Sequence, residues 1–168
     1  MASIELNGLR VDTVGELPQT GADLPAFILT GNDLADVTSA SFEGVKLVLN
    51  VFPSIDTGIC ATSVRRFNQL AASLAGAKVL CVSNDLPFAL GRFCGAEGID
   101  NVVTASAFRS TFGEDFGLTM TTGPLRGLLA RAVVVADAAG RVVHAELVPV
   151  IGQEPDYAAA EAAVLAAP

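Results

Sequence analysis

The chain has 168 residues, of which 51% are hydrophobic and 17% charged, and its 10 basic and 18 acidic side chains give a formal net charge of −8. This composition is too apolar for a disordered chain and sufficient for one hydrophobic core, so we expect a single domain over residues 1–168. The negative charge argues against a nucleic-acid partner, because phosphate backbones repel acidic proteins. The sequence shows no run of about 20 apolar residues and no apolar signal segment, which predicts a cytoplasmic protein with no membrane partner.

The first half of the chain contains turn-rich and β-rich pieces followed by one clear helix pattern. In residues 1–25, glycines and prolines separate short apolar pieces, which predicts a short hairpin and then an irregular segment. Lys46–Phe52 is a β-rich run that Pro53 ends. From Cys60 onward apolar side chains recur every three or four residues up to Gly76, which predicts an amphipathic helix.

Strand and helix patterns alternate through the middle of the chain. Lys78–Ser83 is apolar on both faces, which predicts a central strand, and Val102–Thr104 is predicted to be a short strand. A helix is predicted from Pro87 to about Cys94, because proline suits the first turn of a helix. Another helix is predicted over Phe108–Phe116.

A hairpin and a capped helix close the chain. Ala130–Asp137 and Arg141–Val148 are predicted strands joined by a turn that ends in Gly140, and Asp156 is predicted to cap a last, Ala-rich helix. The order of elements predicts an α/β fold, with a mixed central sheet flanked by helices on both faces. Such sheets carry their chemistry at the carboxyl ends of parallel strands, where the Pro53–Cys60 loop follows the first central strand.

The Pro53–Cys60 loop contains the residues most suited to chemistry. A cysteine in the first turn of a helix lies at the positive end of the helix dipole, among free N–H groups that stabilise a thiolate. Thr57 can direct a hydroxyl into the same pocket, and Pro53 can line the pocket without donating a hydrogen bond. Alternatively, Cys60 is a small buried hydrophobe, as most free cysteines are.

Arg131 is the only charged residue in the otherwise apolar run Leu128–Val135. A guanidinium beside an apolar strand is costly to bury without an anion, and it cannot lose its proton. The anion can be a thiolate or an oxyanion in a reactive site, or a surface carboxylate. The sequence favours neither alternative.

The remaining cysteines and the single histidine carry weaker signals. Cys94 lies between Arg92 and two glycines, so it is either a reactive thiol on an easily unwound segment or a buried helix-end cysteine. Cys81 is predicted to be an inert core thiol, and His144 a strand-face residue. The sequence contains no CxxC pair, no zinc-finger spacing and no glycine-rich phosphate loop.

Three segments of the chain resemble the thiol peroxidases, the atypical two-cysteine branch of the peroxiredoxins. Pro53-x-x-x-Thr57-x-x-Cys60 is similar to the peroxiredoxin active-site pattern. The segment 85–98 resembles the part of that family that bears the resolving cysteine, and the segment 127–135 resembles its arginine strand. The resemblance extends from the N-terminal hairpin to residue 157.

This resemblance implies a thioredoxin-like fold with an N-terminal β-hairpin extension, usually as a homodimer. It implies that Cys60 reduces hydrogen peroxide and organic hydroperoxides, and that Cys94 resolves the sulfenic acid as an intramolecular disulfide that thioredoxin reduces. Thr57 and Arg131 would bind the peroxide and Pro53 would shield it. No metal, haem or flavin is implied. A dithiol oxidoreductase, a peroxide sensor and a non-catalytic interaction domain are the alternative functions.

Overall fold

The structure is a computed structural model that describes all 168 residues. An N-terminal hairpin consists of β1 (Ser3–Leu6) and β2 (Leu9–Asp12). The strands of the main sheet are β3 (Ile28–Gly31), β4 (Asp36–Thr38), β5 (Lys46–Val51), β6 (Ala77–Ser83), β7 (Val103–Ser106), β8 (Ala132–Ala136) and β9 (Val142–Leu147). The helices are α1 (Gly58–Ala71), α2 (Pro87–Glu97), α3 (Phe112–Asp115) and α4 (Tyr157–Ala166), with a 3₁₀ turn over Ser39–Phe42.

The main sheet has seven strands in the order β4-β3-β7-β6-β5-β8-β9. β5, β6 and β7 run parallel, whereas the other four strands pair antiparallel with their neighbours. The predicted mixed sheet is therefore confirmed, and Lys78–Ser83 lies in its centre as expected. Because β5, β6 and β7 are parallel, the loops that follow them meet at one edge of the sheet.

Alternating side chains of the strands build two hydrophobic cores on opposite faces of the sheet. One core contains Leu47 and Leu49 of β5, packed with α3 and the N-terminal hairpin. The other contains Val48 of the same strand, packed with α1, α2 and α4. Helices lie on both faces, as predicted, but three of the four share one face.

The structure corrects the predicted helix over Phe108–Phe116, of which only the four residues of α3 are helical. Phe112 and Phe116 stack in the core with ring centroids 4.2 Å apart. The predicted helical spacing of apolar residues is therefore present, but only over this one turn. Before that turn, the Ser106 hydroxyl accepts the N–H of Phe108 and the Ser110 hydroxyl accepts that of Phe112. Such side-chain bonds to the backbone compete with helix formation.

Other element boundaries differ less. α1 begins at Gly58, two residues before Cys60, and α2 continues three residues beyond Cys94. Gly98 is the C-cap of α2, and its φ of 64° is the left-handed conformation that glycine adopts easily. Asp156 caps α4, as predicted, by accepting the N–H of Ala159 at 3.0 Å. None of these helices has the length and hydrophobicity to cross a bilayer.

Candidate active site

Cys60 occupies the first turn of α1, where the chain arrives from the carboxyl end of β5. Thr57 is the N-cap residue, and the first backbone bond of the helix runs from Ala61 N–H to its carbonyl at 3.0 Å. The N–H groups before Ala61 are therefore free of helical partners and surround the cysteine with partial positive charge. Cys60 itself has no exposed surface.

Arg131 directly precedes β8, and its side chain extends to the Cys60 sulfur. Its Nη2 lies 3.4 Å from Cys60 Sγ, and its Nε donates to the carbonyl of Ile151 at 3.0 Å. The side chain is 2% exposed and makes no ion pair with a carboxylate. Of the two alternatives that the sequence left open, the geometry therefore fits a contact with the Cys60 sulfur rather than pairing with a surface carboxylate. Arg131 Nη1 is buried without any hydrogen-bond partner.

Thr57 and Pro53 lie in the loop that joins β5 to α1. Pro53 is buried and Thr57 is exposed. The Thr57 hydroxyl donates to the carbonyl of Ser54 at 3.1 Å and makes no hydrogen bond to Cys60 or Arg131. Both residues therefore lie in the loop that leads to Cys60, and the Thr57 hydroxyl is hydrogen-bonded within that loop.

Cys94 lies in the last turn of α2, on a separate element from Cys60. Its carbonyl accepts the N–H of Gly98 and of Ile99, which close the helix. Its sulfur lies 3.6 Å from the Thr104 hydroxyl, which donates to Asn32. Partial burial raises the pKa of the Cys94 thiol, so this thiol is protonated near neutral pH. The structure does not bond Cys94 to Cys60, and both are free cysteines.

Cys81 and His144 lie outside this arrangement. Cys81 is fully buried in β6, with Asn50 Nδ2 at 3.7 Å from its sulfur, and burial raises its pKa to about 12. This placement matches the inert core thiol predicted from its apolar neighbours. His144 lies on β9, where its Nε2 is buried without a partner. No three His, Cys, Asp or Glu side chains are grouped closely enough to hold a metal ion.

Asp85 is a site residue that the sequence alone did not single out. It follows β6 and its carboxylate accepts hydrogen bonds from Ser54 and Ile55 of the loop that leads to Cys60. The sequence offered only one indication of this role, the position of Asp85 just after a predicted strand, because loops after neighbouring parallel strands meet at one edge of a sheet. An isolated aspartate after a strand is too common for that indication to identify it.

Comparisons with known proteins agree with this geometry. The sequence matches the Redoxin family model over residues 19–161. It is 59% identical over 164 residues to a thiol peroxidase of Mycobacterium tuberculosis, covering 98% of this chain and 99% of that protein. It is 58% identical, with the same coverage, to a thiol peroxidase of Corynebacterium glutamicum. A crystal structure of a peroxiredoxin-like protein from Aquifex aeolicus is 36% identical and superposes with a TM-score of 0.93, covering 98% of this chain and 96% of that one.

The structural similarity confirms the thioredoxin-like peroxiredoxin fold and includes the N-terminal hairpin. The sequence similarity spans nearly the whole chain and confirms the resemblance found in the three segments. The chain therefore belongs to the redoxin family and, within it, to the thiol peroxidases, enzymes that reduce peroxides with cysteine thiols.

Proposed function

We propose that the peroxidase reaction of this chain begins at Cys60 and is completed by Cys94, with thioredoxin as the reductant. The observation that carries the proposal is the 3.4 Å contact between Arg131 Nη2 and Cys60 Sγ in a fully buried site. A cation that cannot lose its proton, held against a sulfur at a helix N-terminus, favours the thiolate, which is the nucleophilic form of cysteine.

In the first step, the Cys60 thiolate attacks the terminal oxygen of a hydroperoxide. The S–O bond forms as the O–O bond breaks, the sulfur is oxidised to a sulfenic acid, and the leaving oxygen takes a proton and departs as water or an alcohol. Arg131 Nη1 is a donor without a partner on the guanidinium whose Nη2 contacts the sulfur, and it can bond to a peroxide oxygen as negative charge develops there. Thr57 orients the peroxide when its hydroxyl turns from Ser54, and Pro53 shields the pocket.

Peroxide entry requires a small opening beside Cys60, because Cys60 has no exposed surface. Thr57 is exposed at the start of the same helix. We therefore propose that peroxide enters beside Thr57, where rotation of the Thr57 side chain uncovers the sulfur while the backbone of the loop stays in place. The buried Arg131 also remains in place, since its Nε is held by the carbonyl of Ile151.

In the second step, the Cys94 sulfur attacks the Cys60 sulfenic acid, an S–S bond forms, and water leaves. A disulfide needs Cα atoms about 4.4–6.8 Å apart, whereas each cysteine is held in its own helix with separate side-chain partners. Resolution therefore includes local unwinding of α1 and α2. Cys94 occupies the last turn of α2, directly before the C-cap Gly98, and helix ends open at a lower cost than central elements do.

The proposal includes thioredoxin and a second copy of the chain as protein partners. Leu86 and Phe88, beside the start of α2, are 51% and 68% exposed. Large exposed apolar side chains next to a reactive site support a protein-binding surface there. The cytoplasmic location expected from the sequence stays a prediction, as does the absence of a cofactor.

The experiment that tests the proposal is thioredoxin-coupled peroxide consumption by three Cys→Ser variants, with thiols mapped by mass spectrometry. Cys60→Ser should abolish turnover, and Cys94→Ser should leave Cys60 trapped as a sulfenic acid or a mixed disulfide. Cys81→Ser is the matched control and should keep turnover, since Cys81 is buried in β6. Undiminished turnover in Cys60→Ser would end the proposal. Insulin reduction without peroxide would instead indicate a dithiol oxidoreductase.

A further inference from the structure

Asp85 lies just after β6, and its carboxylate accepts hydrogen bonds from the end of β6 and from the loop after β5. Its Oδ1 accepts the Ser54 hydroxyl at 2.8 Å. Its Oδ2 accepts the N–H of Ile55 at 2.7 Å and also the hydroxyl of Ser83. The backbone carbonyl of Asp85 accepts the hydroxyl of Ser106. One residue thus receives donors from the segments at the ends of three parallel strands.

The donors to Asp85 include two residues of the loop before one reactive cysteine, and Asp85 itself lies just before the helix that carries the other. Ser54 and Ile55 belong to the loop between β5 and α1, directly after Pro53 and before Cys60. Two residues after Asp85, Pro87 begins α2, the helix that carries Cys94. The carboxylate therefore connects the loop of one reactive cysteine to the start of the helix of the other.

Two other polar contacts link the same regions, but both are exposed. Arg92 of α2 lies 3.3 Å from Asp56, with the two side chains 70% and 67% exposed. Arg65 of α1 makes a bidentate pair with Glu97 at the end of α2. Exposed ion pairs are weakened by water and salt, whereas the half-buried Asp85 accepts three converging donors, one of them a backbone N–H. Of these contacts, those with Asp85 are the least exposed, and movement of the loop must break them.

We propose that Asp85 is a positioning residue that holds the Cys60 loop in its folded, peroxide-reactive conformation, and that breaking its bonds to Ser54 and Ile55 limits disulfide formation. The proposal rests on the roles proposed above for Cys60 and Cys94. Asp85 makes no hydrogen bond to the Cys60 sulfur, so it acts on the reaction only by holding the loop.

This role has a chemical consequence for the sulfenic acid at Cys60. The sulfenic acid either condenses with the Cys94 thiol and releases water, or reacts with a second hydroperoxide, whose O–O bond breaks to give a sulfinic acid and water or an alcohol. Firm attachment of the loop favours the second, inactivating reaction by delaying the first. The bonds to Asp85 therefore set the peroxide concentration that the enzyme tolerates.

Asp85→Asn tests this proposal because it keeps the shape of the side chain and removes its charge. Ser54→Ala is the second variant, since it removes the loop's hydroxyl and leaves the aspartate in place. Asp56→Asn is the matched control, an exposed carboxylate on the same loop. Quenched-flow samples analysed by mass spectrometry give the rate of Cys60 oxidation, the rate of disulfide formation and the sulfinic fraction after turnover with excess peroxide.

In Asp85→Asn we expect disulfide formation to be faster by about tenfold, the size expected for loss of a charge-assisted hydrogen bond. Cys60 oxidation should become slower, and the sulfinic fraction should fall. Ser54→Ala should change all three in the same directions by less, and Asp56→Asn should change each by no more than about two-fold, because its pair with Arg92 is exposed. A parallel fall of both rates in Asp85→Asn and Ser54→Ala would show a merely structural role and overturn the proposal. A wild-type protein that forms no Cys60–Cys94 disulfide would instead refute the proposed function.

Discussion

The guanidinium of Arg131 spans the gap between the Ile151 carbonyl and the Cys60 sulfur, at 3.0 Å and 3.4 Å. The two ends of this bridge have different chemical roles. The carbonyl fixes the orientation of the guanidinium, and the contact with sulfur supplies the positive charge that a buried thiolate needs. Because Nη1 has no partner, the same group can also bind the substrate without releasing the thiolate.

Arg131→Met should therefore lower the rate of Cys60 oxidation by about 10²-fold, the usual loss when one donor to a developing anion is removed. Methionine keeps the length of the side chain and removes its charge and donors. Stopped-flow competition for peroxide, measured against pH, gives the rate and the thiolate fraction of Cys60. Arg126→Met, at an exposed arginine with no side-chain partner, is the control and should change neither. An unchanged rate in Arg131→Met would remove Arg131 from the reaction.

The rate of disulfide formation should rise with pH, because Cys94 attacks as a thiolate and burial raises the pKa of its thiol in the folded protein. When α2 unwinds, the thiol returns to an ordinary pKa of about 8.5. A group with a higher pKa in the folded state stabilises that state fully below its unfolded pKa and loses this effect as pH rises toward the folded pKa. Above about pH 8.5, unwinding therefore becomes easier, while at lower pH the thiolate fraction of the unwound segment limits attack.

The measurement is quenched-flow mass spectrometry of the Cys60–Cys94 disulfide between about pH 6 and pH 9. We expect the rate to increase by about tenfold per pH unit below pH 8.5, following the thiolate fraction. Labelling of Cys94 by iodoacetamide in a Cys60→Ser, Cys81→Ser protein reports the accessibility of Cys94 separately. A rate that does not change with pH would show that Cys94 does not attack as a thiolate.

Much of the fold follows from local sequence patterns, whereas the contacts that complete the site do not. The helix-start cysteine and the arginine in an apolar strand are visible as separate features, but 71 residues separate them and only the fold gives their contact. β3 and β4 were missed because pairing decides their conformation: β3 pairs with β7, which is distant in sequence, and β4 pairs with β3. Asp85 was missed as a site residue for the same reason, since its partners lie 30 and 31 residues away.

Glu97→Gln should accelerate disulfide formation only modestly, by about two-fold to five-fold, because its pair with Arg65 is exposed. The hydrogen bond from Arg65 lowers the pKa of Glu97, so the pair is intact at neutral pH and is lost as the pH falls through that lowered pKa. The effect should shrink in high salt, which screens exposed charges. Glu43→Gln, at an exposed glutamate with no side-chain bond, is the control. An effect of Glu97→Gln as large as that of Asp85→Asn would show that the helix pair, rather than the Asp85 carboxylate, limits resolution.

Gly117→Ala should destabilise the protein by about 2–3 kcal/mol without altering the chemistry of Cys60. Gly117 has a φ of 69°, and a Cβ there would lie 2.4 Å from backbone atoms of Glu16, which cannot move as a flexible side chain can. Gly117 thus lies directly against the backbone of the segment that follows the N-terminal hairpin. Urea unfolding measures the loss, with Gly152→Ala as the control, since a Cβ there meets no atom within 4 Å. Equal stability of the two variants would show that the segment around Glu16 shifts freely, and that its contact with Gly117 does not hold the hairpin in place.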